Sequence, residues 1–176
     1  PPLRALAFRG PQNQTGTCLL RYAGGLAVAV GGGIENIAPG AESRRARVWR
    51  LSVDGEEEAA TLELTAFASA AAVRGDGGQV AVGGADGAVR LFGGEGWAQS
   101  AELAEPDDGT LVRSLAYNPD GRQLVVGRSS GTFVVYDVGS GAAVSRFAEL
   151  AGNMGMVAAV APAGDAVVVG GGLSKV

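Results

Sequence analysis

The chain contains no histidine. That removes the commonest general base and the commonest transition-metal ligand together. Its single cysteine, Cys18, excludes an intrachain disulfide and points to a reducing compartment. Charge is thin: 18% of residues are charged and the net charge is -4, which gives no drive towards nucleic acid or an anionic membrane. No apolar run reaches the ~18–20 residues of a membrane helix. The longest, residues 156–169, is broken by Pro162 and Asp165. There is neither an initiator Met nor a signal peptide before Pro1-Pro2, so the chain reads as part of something larger. These absences predict an intracellular protein, cytoplasmic or nuclear, with no membrane insertion and no cofactor. Disorder is excluded by a hydrophobic content of 47%.

What is abundant is glycine, with 30 copies clustered at the ends of short apolar runs. Such punctuation marks strands and turns. The runs recur. Trp49, Phe92 and Tyr136 each end one, at steps of 43 and 44 residues. A second mark, Val-Gly, closes another: Val30-Gly31, Val82-Gly83, Val126-Gly127 and Val169-Gly170. A period of ~40–45 residues built from short strands is the mark of a propeller blade. Residues 105–150 show it best. Strands are expected at 111–117, 123–127, 132–138 and 143–147, joined by Asn118-Pro119-Asp120-Gly121, Ser129-Ser130-Gly131 and Gly139-Ser140-Gly141. The expected organisation is an N-terminal segment (1–14), a blade (15–66) with an insertion at 32–45, blades at 67–104 and 105–150, and a partial blade at 151–176. The insertion accounts for the wide step of 52 residues from Val30 to Val82. The runs barely alternate, as expected of inner strands covered on both faces by neighbouring blades. The unfinished last blade predicts an open strand edge, with poor stability or self-association.

The stretch from Val112 to Gly127, with Asn118-Pro119-Asp120-Gly121 at its turn, resembles the first two strands of the WD40-repeat family. Tyr136-Asp137 stands where that family has its Trp-Asp pair, and Trp49-Arg50 and Phe92-Gly93 are decayed versions. The resemblance covers residues 15–176. It implies an all-β, WD40-like β-propeller, of which about three and a half four-stranded blades are present, as a fragment or partial ring. The family's Asp-His-Ser/Thr-Trp network cannot form without histidine. Blades are therefore expected to depend more on apolar packing than on polar staples.

Few residues suggest chemistry. The glycine clusters at 31–33 and 83–87 lead into strands, whereas a phosphate loop leads into a helix, so they read as turns. The acidic runs 54–58 and 105–109 lack the alternating ligand spacing of a calcium loop and read as exposed turns. No nucleophile has a base that the sequence can supply, and Cys18 reads as a buried small hydrophobe. No catalytic, cofactor or metal residue is assigned. Trp49, Trp97 and Tyr117 read as blade core. Arg44, Arg45, Arg47 and Arg50 form the only basic cluster, at the insertion and the strand behind it. Guanidinium groups suit carboxylate or phosphate, so this cluster is the candidate partner-binding site, for an acidic protein surface or RNA.

The resemblance implies a non-catalytic scaffold for protein–protein interaction in a larger assembly: ribonucleoprotein, cytoskeletal or ciliary, or trafficking. The alternatives are a propeller-fold nucleotide-exchange regulator of a small GTPase, working through the insertion, and an RNA-binding propeller working through the arginines.

Overall fold

The computed structural model describes residues 14–21, 27–33, 44–52, 55–103, 110–147, 156–160 and 167–171. Residues 34–43 of the insertion, the acidic run 105–109 and residues 162–165 lie outside the described residues.

The described residues are almost entirely strand. Blade one is β1 (Gln14–Arg21), β2 (Ala27–Gly33), β3 (Arg45–Ser52) and β4 (Gly55–Glu63). Blade two is β5 (Ala68–Val73), β6 (Gln79–Gly84), β7 (Val89–Gly93) and β8 (Ala98–Leu103). Blade three is β9 (Val112–Tyr117), β10 (Gln123–Arg128), β11 (Phe133–Asp137) and β12 (Ala143–Phe147). A two-stranded sheet follows, of β13 (Met156–Val160) and β14 (Val167–Gly171). Each four-stranded sheet is a meander in chain order with every neighbour antiparallel. The propeller-like, all-β architecture expected from the period is therefore the one observed. The acidic run 54–58, expected as an exposed turn, is a correction: its Glu56, Glu57 and Glu58 lie in β4, paired with Leu51, Arg50 and Trp49. An outer strand has solvent beside it and tolerates such charge.

The core lies between blades. One cluster joins Val48 and Leu62 of blade one to Val80, Val82, Phe92 and Trp97 of blade two. A second joins Leu91 and Leu103 of blade two to Val112, Leu124, Val126, Val134 and Tyr136 of blade three. Each such side chain contributes roughly 1.5–3 kcal/mol on burial, and only the neighbouring blade can supply the cover. The Val-Gly mark has a packing reason here. A Cβ on Gly83 would lie 2.4 Å from Cγ1 of Val112, so glycine lets the first strand of blade three close against blade two.

Trp97 is buried, as expected of blade core, but from a turn and not from a strand. It sits in the β7–β8 turn with φ of 52°, where blade three has Gly141 at 71°. Its ring is buried in the first cluster, which compensates for a left-handed backbone that glycine adopts freely. Trp49 and Tyr117 are only partly buried.

Candidate functional site

The arginine cluster is only partly available to a partner. Arg44 precedes β3 and is exposed; Arg50 is exposed on β3, opposite Glu57. Arg45 donates from Nε to Glu63 Oε1 at 2.8 Å, and Arg47 lies 3.8 Å from Glu58. The acidic strand β4 thus lies alongside the basic strand β3, and much of the cluster's charge is answered within its own sheet. The pairing follows from a hairpin joining two oppositely charged runs.

A second polar site was not singled out from the sequence. The β5–β6 turn of blade two meets the β9–β10 and β11–β12 turns of blade three around a cleft of about 510 Å³. Arg74, Asp76, Asp120, Gly121, Arg122 and Asp137 line it. Arg74 grips Asp76 through Nε and Nη2 at 2.8–3.0 Å. That hydrogen bond, with the Gly78 amide and the guanidinium charge, holds the Asp76 carboxyl below the usual carboxylate range and raises Arg74 in turn. A Cβ on Gly121 would come within 2.5 Å of Arg74 Cδ, so the arginine stem can cross only a residue without one. Asp137 accepts from the Ser140 hydroxyl and amide at 2.7 and 2.8 Å, and with help from the Arg122 charge its carboxyl is lowered as well. Asp120 accepts from the Arg122 amide. Tyr117 donates to Gln79 of blade two at 3.1 Å, and burial pushes its phenol well up, so it stays neutral. The cleft therefore presents fixed carboxylates and guanidiniums on turns of two blades locked together. Such a surface can orient a polar partner. The signal for it was the recurrence of Asp76 and Asp120 at repeat-equivalent turns, 44 residues apart.

A polar staple was also missed, and it stands beside the mainly apolar packing between blades. Arg90 is 4% exposed. It donates to both carboxylate oxygens of Asp86, at 3.3 and 2.8 Å, and to the Thr65 hydroxyl, and its Nε lies 3.1 Å from Glu102. Thr65 donates to Asp86 at 2.7 Å. Burial pushes the Asp86 carboxyl up, but the hydrogen bonds from Arg90 and Thr65 and the Arg90 charge outweigh it, and the net direction is down. Arginine supplies the cation and donor in a blade that has no histidine.

Among the described residues, no group of three His, Cys, Asp or Glu could hold a metal ion, and no helix is long and apolar enough to cross a membrane.

Residues 95–160 match the family model of the anaphase-promoting complex subunit 4 WD40 domain. The matched stretch takes in β8, all of blade three and β13. A search of curated proteins finds no match. Over that stretch the chain is similar to a WD40 domain, and the antiparallel four-stranded sheets at the 43–44-residue period agree with WD40 blades.

Proposed function

We propose that the chain is a non-catalytic WD40-type scaffold that joins proteins within a larger multi-subunit assembly. WD40 domains generally mediate protein–protein interaction, and the matched family model is itself named for a subunit of a complex. The observation that carries the reading is the inter-blade cleft. Its charged groups sit on turns, held by hydrogen bonds and a shared core, and rigidly placed loops are where recognition concentrates. Arg44 and Arg50 are a second contact, for an acidic protein surface, with Arg45 and Arg47 set between their own glutamates and that partner. The same pairing weakens the reading as an RNA binder.

The test is crosslinking and co-purification of the tagged protein from its own cells, with Arg122→Glu plus Asp137→Lys, and Arg44→Glu plus Arg50→Glu, as separate variants. Loss of a reproducible set of partner proteins in either variant, with the fold intact, is expected. Partners retained by both variants would overturn the assignment of these surfaces. Direct binding of a homopolymer RNA, weakening steeply with salt, would favour the RNA reading instead.

A further inference from the structure

The β5–β6 and β9–β10 turns are one turn repeated in two blades. Gly77 donates its amide to the Arg74 carbonyl at 2.8 Å, and Gly121 donates to the Asn118 carbonyl at 2.9 Å. Both glycines are left-handed, with φ of 72° and 71°. In each turn the aspartate accepts through Oδ1 from the amide two residues on, Asp76 from Gly78 and Asp120 from Arg122, both at 2.9 Å.

The two turns differ in what answers the carboxylate. Asp76 is capped by the guanidinium of Arg74, which donates to both of its oxygens. In blade three Asn118 stands in the place of Arg74, and its Oδ1 is taken by the Gln123 amide at 2.9 Å. Asp120 therefore lacks the cap: among the described residues nothing donates to its Oδ2. Asp137, which lines the same cleft, is in the same condition, since both Ser140 donors go to its Oδ1. The exposed Arg122 guanidinium makes no ion pair among the described residues.

The charges of the cleft do not balance. Three carboxylates stand against two guanidiniums, and Arg74 and Asp76 are spent on each other. Asp120 and Asp137 remain against Arg122, which leaves one negative charge in excess and a carboxylate oxygen open on each aspartate. One cation restores neutrality, and a second would meet Arg122.

We propose that the cleft seats a single arginine side chain of a partner protein, its guanidinium taken by Asp120 and Asp137. The proposal rests on the scaffold reading of the cleft and adds the chemistry of its occupant. A guanidinium is the group that the equivalent turn already accepts, and the cleft already carries one arginine stem, that of Arg74, across Gly121. The planar fork has donors enough for two carboxylates. Arg122 opposes a second positive charge, and so selects against a polybasic run.

The probe is the pentapeptide Gly-Gly-Arg-Gly-Gly, acetylated and amidated so that the arginine is its only charge, titrated into the isotope-labelled protein. Saturable shifts of the Gly121, Arg122 and Ser140 amides are expected, weakening as salt is added. Asp120→Asn together with Asp137→Asn should weaken binding at least about fivefold. Asparagine keeps the Oδ1 acceptor in both places, so an unchanged thermal melt is expected beside that loss. Arg122→Gln should tighten binding by about twofold, because it removes the like charge. The same peptide with glutamine or glutamate in place of arginine should bind more weakly. Absence of saturable shifts at these amides overturns the proposal, as does equal affinity for the glutamine peptide, tighter binding of the glutamate peptide, or no loss in the double asparagine variant. If partner proteins are lost from the Arg122→Glu plus Asp137→Lys variant despite such a result, the scaffold reading stands and arginine is not the occupant.

Discussion

Blades two and three share strand order, register and turn geometry, yet they hold their second turn differently. In blade two, Asp86 on the β6–β7 turn ties Arg90 and Thr65 into a staple within one sheet and its entry segment. Blade three has Ser129-Ser130-Gly131 at that turn and no acid there. Its buried cation is Arg128, fully covered at the end of β10, where blade two has Gly84. Arg128 reaches back across the blade boundary and donates from Nη1 to the carbonyl of Gly87 at 2.9 Å. Blade two is stapled to itself, whereas blade three is stapled to blade two. The repeat therefore sets the backbone, while each blade satisfies its buried polar groups by its own means.

The largest expected effect comes from breaking the staple of blade two. Asp86→Ala leaves the Arg90 guanidinium buried with Glu102 as its remaining ion-pair partner, and should cost about 3 kcal/mol in urea unfolding. Adding Arg90→Met should recover most of that, since a buried pair replaced by apolar groups is often neutral. If the double variant is no better than the single one, the staple is not a closed unit.

Arg128→Met tests the other half of the comparison. It leaves the Gly87 carbonyl without this donor and should cost about 1–3 kcal/mol, by the same measurement. Its distinctive consequence is at the boundary: hydrogen exchange should quicken in both β9 and the β6–β7 turn. Exchange confined to blade three would show that Arg128 does not join the two.

Gly83→Ala probes the shared backbone rule. The added Cβ meets Val112 and should cost roughly 1–2 kcal/mol by overpacking, while Gly96→Ala, which meets open space, should be silent in the same thermal melt. Val112→Ala in the Gly83→Ala background removes the 2.4 Å contact but keeps the Val112 Cβ, 2.7 Å away, so it should recover only part of the loss.

Acid sensitivity separates the blades further. Asp76, Asp86 and Asp137 all have carboxyls held below their ordinary value, so the stability they contribute is present above the unfolded value of 3.8 and is lost as pH falls through the folded values. Asp86→Asn should flatten the acid limb of a stability–pH curve. An unchanged limb would mean that the Asp86 carboxyl is not lowered by its partners. The smallest effect belongs to the exposed pair of blade one: Arg45→Ala should shift stability by no more than about 0.5 kcal/mol, checked by denaturant titration.

Much of the fold was legible because its signals are local. Aromatic and Val-Gly marks recur along the chain, and the turn residues of blade three stand where tight turns need them. The acidic start of β4 was hidden because Gly55 to Glu58 carry none of the β-branched or aromatic residues that announce a strand. The polar groups that matter most were hidden for a different reason. Thr65 and Asp86 are 21 residues apart, and Arg128 and Gly87 are 41 apart, so no window of sequence shows them together. The cleft left only a faint mark, the recurrence of Asp76 and Asp120, since its two sides belong to different blades.

The sequence by itself determined the strands, their period and the blade as the unit, because hydrophobic runs and turn chemistry act over a few residues. Only the tertiary structure decided which charges are answered and which face outward. Arg45 and Arg47 meet glutamates in the neighbouring strand, Arg90 is closed within its blade, and Arg122 opens onto a cleft between two. Electrostatic partners are set by distance in space, and in a propeller that distance is fixed by how one blade packs on the next.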